Sequence, residues 1–152
     1  MSFRLALSFI VAFVVTDAVF SEQLSPRRLR SPNHVDGAGC FLQLLRTPPD
    51  GDGNVFEWGF HDKAWINLGG SDLRLHLVGS RGINLENGEG SIGEEQVVTF
   101  SAGDLRVVVT MTLRSKCAAT DESCEAVLVD GKIRVNTPKR SIAFPVKGIC
   151  GT

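Results

Sequence analysis

Apolar and polar residues alternate with a period of two along most of the chain after Cys40, and turn-forming residues break the alternation at short intervals. Successive side chains of a strand point to opposite faces, so the pattern predicts sheet with one buried face. Leu105 to Arg114 is the clearest segment: Leu105, Val107, Val109, Met111 and Leu113 share one face, and Arg106, Thr110, Thr112 and Arg114 share the other with Val108. Asp72 to Gly79 repeats the theme, with Leu73, Leu75 and Leu77 opposed to Arg74 and His76. Further strands are predicted over 40–46, 54–60, 64–68, 95–101, 124–129, 132–136 and 141–147. No segment sustains a helical period. The expected fold is all-β: a small disulfide-stapled antiparallel β-barrel or β-sandwich of about 8–9 strands after an N-terminal signal peptide.

Two dipeptides predict register. Gly69-Gly70 suits a two-residue hairpin turn, because both central positions of a type I′ turn need positive φ. It places Ile66 opposite Leu73 and Ala64 opposite Leu75 on the core face, and Trp65 opposite Arg74 on the other, within reach of a cation–π contact. Asp130-Gly131 predicts a second such turn, setting Leu128 opposite Ile133 and Ala126 opposite Val135. Pro145 lacks a ladder donor and is expected on an edge or at a bulge.

Ahead of the strands, one basic residue (Arg4) precedes an apolar run from Leu5 to Val15, and Thr16 with Ala18 or Val19 with Ser21 follow at plausible cleavage positions. That layout is a signal peptide over 1–21; a membrane anchor would need roughly 20 apolar residues, and Asp17 cuts the run short. Residues 22–38 carry Pro26, Pro32 and three arginines with almost no apolar content, which predicts a flexible basic arm. Residues 39–152 form the expected all-β domain. The formal net charge of −1 does not advertise a surface for nucleic acid.

The chain holds four cysteines. An even count in an exported chain reads as a disulfide framework, with three pairings formally open. Cys117 and Cys124 flank a polar stretch resembling a hairpin tip and form the natural local pair; Cys40 with Cys150 would join the first strand to the last and favour a closed sheet. No cysteine pair has the close spacing of a structural zinc site, and no metal or cofactor is expected.

Candidate sites are few. Asp50, Asp52 and Asn54 resemble the opening of a calcium loop, but Val55 and His61 stand where such a loop needs glycine and a bidentate glutamate, and a polar hairpin turn explains them. Phe56, Trp58 and Phe60 read as core. Trp65, on the wet face beside Arg74, and the glycine-rich segment from Ser80 to Gly93, with Ser80, Arg81, Asn84 and Asn87, are the expected binding residues. His34, His61 and His76 are scattered, and no nucleophile elbow is present.

Arg27-Arg28-Leu29-Arg30 is similar to the RxLR translocation motif of secreted oomycete effectors, matching at Arg27, Leu29 and Arg30, without the acidic segment that usually follows. In general build the chain looks like the bacterial periplasmic inhibitors of c-type lysozyme, whose Ser-Gly-x-x-Tyr loop enters the enzyme; this chain has no tyrosine, and Gly79-Ser80-Arg81-Gly82 is its nearest loop. The expectation is a secreted or periplasmic, non-catalytic binding module for a protein or glycan partner, with no stable membrane insertion after signal cleavage. The alternatives are an inhibitor of a secreted enzyme, a host-directed effector and a cryptic hydrolase.

Overall fold

The computed structural model describes residues 24–31, 34–46, 53–60, 63–117 and 125–151. The predicted signal peptide, Asp50, Asp52, His61 and Cys124 lie outside them. Eight strands follow one another: β1 (Gly39–Leu44), β2 (Asn54–Trp58), β3 (Lys63–Leu68), β4 (Ser71–Gly82), β5 (Glu95–Ala102), β6 (Leu105–Ser115), β7 (Ala126–Asn136) and β8 (Ser141–Gly151). Each pairs antiparallel with its sequence neighbour, and β8 returns to β1, so the sheet closes into an up-and-down barrel. β1 pairs with β8 only from Val146 to Gly151, so among the described residues Ser141–Pro145 has a strand partner on the β7 side alone, and Pro145 stands at the edge position expected of it, its carbonyl accepting from Leu45 N at 3.4 Å.

The interior is filled by the alternation read from the sequence. Leu42, Phe56, Ile66, Leu75, Val98, Phe100, Val109, Met111, Ile133 and Val146 are fully buried. Phe56 and Trp58 both meet Phe100 edge-on, with ring centroids 5.5 and 5.6 Å apart. An eight-stranded barrel is just wide enough for side chains to fill, and these aromatics occupy that width. Cys40 and Cys150 are directly opposed on β1 and β8, both fully buried, and their disulfide seals the closing seam from inside. Cys117 is also disulfide-bonded.

The Gly69-Gly70 hairpin has the predicted register, Ile66 with Leu73, Ala64 with Leu75 and Trp65 with Arg74, and both glycines have positive φ. Asp130-Gly131 does not turn the chain. Both residues lie inside β7, which runs unbroken and pairs with β6 and β8 along its length, so the expected pairs Leu128–Ile133 and Ala126–Val135 do not form. Two predicted strands are therefore one. Val127, Val129, Ile133 and Val135 keep a single inward parity through Gly131, and Leu128 faces out, 53% exposed. Gly131 serves close approach instead: a Cβ there would collide with the Thr110 carbonyl oxygen across the ladder.

Candidate functional site

The outer wall of β2, β3 and β4 is covered by the segment before β1. Pro26 bridges to Leu68; the Ser25 carbonyl accepts from Gly69 N at 2.8 Å, and Leu29 N donates to the Asn54 carbonyl at 2.8 Å. Sequence reading found almost nothing apolar here to bury, yet Leu29 is 4% exposed and Leu24 packs against the barrel's apolar cluster. Leu29 is also the central residue of the RxLR-like motif, so in this structure the motif lies against the barrel. Gly39 and Gly59 leave room for the Val35 side chain.

Polar chemistry concentrates under this strap. Asp72, at the start of β4, accepts from the backbone amides of Arg30 (2.9 Å) and Ser31 (3.0 Å) and from Asn67 Nδ2 (2.6 Å), and its Oδ2 lies 3.1 Å from His34 Nε2. Burial raises the pKa of this carboxyl, but the two amide donors, His34 and Asn67 outweigh it and hold it below its ordinary value of 3.8. Glu57, 1% exposed, accepts from His34 N and Asn54 Nδ2, each at 3.0 Å. His34 stacks on Trp65, with centroids 4.1 Å apart and planes at 11°. Among the described residues no buried side-chain nitrogen or oxygen lacks a hydrogen-bond partner, as buried polar groups require.

The expected binding residues are therefore split. Trp65 and Arg74 are cross-strand partners as predicted, but one face of the indole is taken by His34, and the ring is half-buried. Ser80 and Arg81 are not in a loop: β4 continues to Gly82. Ser80 Oγ accepts from Gln96 Nε2 at 3.1 Å. Asn84 Oδ1 accepts from Glu86 N at 3.0 Å and so shapes the turn after β4, while Asn87 is exposed. The same loop sends Leu85 into the core, 1% exposed, with its amide 3.4 Å from Gln96 Oε1.

The register of β4 against β5 shifts between Leu77 and Gly79. Leu73, Leu75 and Leu77 face inward at odd positions; after this bulge the parity reverses, and Arg81, opposite Val97, faces out. Bulges commonly re-aim a side chain in this way. Arg81 thereby joins Lys132 and Arg134 of β7 around a groove of about 300 Å³ on the outer wall, with Val97 of β5 and Val108 and Thr110 of β6 between them and Asn136 at one end. The three cations are exposed, and none pairs with a carboxylate among the described residues. The nearest acids along the strands are otherwise engaged: Glu95 accepts from Thr112 Oγ1 at 3.2 Å and Asp130 from Arg114 Nε at 2.7 Å. Lys132 and Arg134 went unnoticed in the sequence because the supposed turn at Asp130-Gly131 separated them from β6.

A second groove, of about 420 Å³, lies on the wall of β1, β8, β7 and β6. Its apolar centre is the cross-strand row Phe41, Ile149 and Leu128, bordered by Gln43, Lys147 and the Arg114–Asp130 pair. Among the described residues no group of three or more His, Cys, Asp or Glu is placed to hold a metal ion. Compared with protein-family models, curated proteins and solved structures, the chain matches none.

Proposed function

We propose that the protein is an exported, non-catalytic binding module that meets its partner with the outer wall of the barrel between β4 and β8. The observation that carries this reading is how the wall is divided. From β2 to β4 the strap covers it, and the polar side chains there, His34, Glu57, Asn67 and Asp72, are spent on one another. From β4 to β8 no described segment lies over it, and it gathers three cations without a carboxylate partner among the described residues around one groove and three apolar side chains along another. Among the described residues the interior is occupied by packed side chains, which favours the wall as the recognition surface.

Export is supported by the apolar leader in the sequence and by the Cys40–Cys150 bridge, since such bonds persist in oxidising compartments. The test is equilibrium binding of the full exported chain to a panel of extracellular proteins and glycans, run beside turnover assays on ester, peptide and glycan substrates. Saturable binding without turnover, weakened by substitutions on the β4–β8 wall, is expected. Turnover abolished by a single substitution would overturn the reading.

A further inference from the structure

Arg81 stands on β4 and Lys132 and Arg134 on β7, so the cations occupy the two banks of the groove and the floor between them is β5 and β6. With strands spaced about 4.8 Å apart, the banks are roughly 14 Å apart at the backbone, a distance two long cationic side chains can reach across. The floor is small and methyl-bearing, Val97, Val108 and Thr110, and Asn136 and Thr110 add hydrogen-bonding groups. We propose that this groove binds an acidic polysaccharide, its carboxylate or sulfate groups held by Arg81, Lys132 and Arg134 and its sugar ring lying on the valine floor. The proposal rests on the binding-module reading and gives it a ligand class.

The alternatives fit the groove less well. An acidic peptide is held either by adding a strand to a free sheet edge or by sinking side-chain anchors into a pocket. The floor strands β5 and β6 are paired on both sides and offer no edge, and the floor is a shallow strip of valines rather than a pocket. Single-stranded nucleic acid is gripped by aromatic stacking as well as charge, and no aromatic residue lines the groove. A flat, methyl-bearing floor between cationic banks instead suits a polymer whose charges are spaced along an uncharged, hydroxyl-rich body. Cation contacts of this exposed kind are individually weak and add up along a repeating ligand.

The test uses the full exported chain against polygalacturonate and heparin, which separate carboxylate from sulfate, with neutral dextran, polyglutamate and an oligothymidylate as comparators. The variant R81Q/K132Q/R134Q alters only exposed side chains and is checked by circular dichroism; Lys132→Gln alone serves as a milder second variant. The control R46Q/K63Q/K116Q removes the same charge from exposed positions that line neither groove. Expected are binding to at least one acidic polysaccharide, a loss of about tenfold or more in the groove variant, a smaller loss for Lys132→Gln and a shallower salt dependence. The control should bind as the parent does. Equal loss in both triple variants, equal binding to dextran, no binding to either acidic polysaccharide, or tighter binding to polyglutamate or oligothymidylate would each overturn the proposal. Binding of another kind through the same wall would leave the binding-module reading intact, whereas turnover of any probe would overturn that reading as well.

Discussion

His34 lies flat on Trp65, 4.1 Å between ring centroids, while its Nε2 sits 3.1 Å from Asp72 Oδ2. This joins an arginine-rich segment to the barrel wall through two strands at once. Asp72 is the hub, because two backbone amides and two side chains converge on one carboxylate that is 11% exposed. Asp72→Asn replaces one acceptor oxygen by a donor facing donors. The loss should be about 1–3 kcal/mol, seen as a lower urea midpoint. Trypsin should also cut faster at Arg27, Arg28 and Arg30 under native conditions, with the barrel intact. An unchanged cleavage rate would mean that the strap is held by Leu29 and the backbone bridges alone.

The same carboxylate sets a pH dependence. Its folded pKa lies below the ordinary 3.8, so the clasp contributes stability that is fully present above that value and is lost as pH falls through the folded pKa. Urea midpoints measured from about pH 7 to about pH 2 should show the gap between the parent and Asp72→Asn closing in the acid range. A gap that stays constant below 3.8 would assign the stabilisation to packing rather than charge.

How far the fold could be read in advance differs between its two diglycine-type signals. Gly69-Gly70 was legible because flanking alternation and turn chemistry agreed, and the register that followed is the one observed. Asp130-Gly131 has the same local chemistry, yet the inward parity of Val127, Val129, Ile133 and Val135 passes through it without a break. That continuity was the contrary signal, outweighed by a dipeptide. The β4 bulge left no comparable trace, since alternation alone continues Leu73, Leu75 and Leu77 to an inward Arg81, and the cationic groove was hidden with it. A substitution separates the two glycine roles: Gly131→Asn, tolerable in a type I′ turn, should be severely destabilising here because a Cβ meets the Thr110 carbonyl. Gly70→Asn, at φ 84°, should cost much less.

Cys40 and Cys150 are 110 residues apart and directly opposed on the closing strands. Replacing both with alanine removes the cross-link without stranding a buried thiol. The expected loss is roughly 2–5 kcal/mol, toward the upper end because the loop is long. The denaturation midpoint of the double variant should match that of the reduced parent if this bridge dominates. A markedly lower midpoint for the reduced parent would assign the difference to the bridge that includes Cys117.

Leu85 decides whether the glycine-rich loop after β4 is a passive connection or the stopper of the barrel. Its side chain is 1% exposed and joins the same apolar cluster as Phe100 and Met111, and Gln96 holds its amide while also bonding Ser80. The Leu85 carbonyl accepts from Gly88 N, and the Asn84 carbonyl from Glu89 N, so the turn is folded on itself around Leu85. Leu85→Ala should cost about 2–5 kcal/mol, the range for emptying a packed core site. Hydrogen exchange at Gly88 and Glu89 should rise more than global unfolding accounts for, because the turn loses its anchor before the barrel opens. A cost below about 0.5 kcal/mol, ordinary for surface positions, would make the loop an independent flap and remove it from the core.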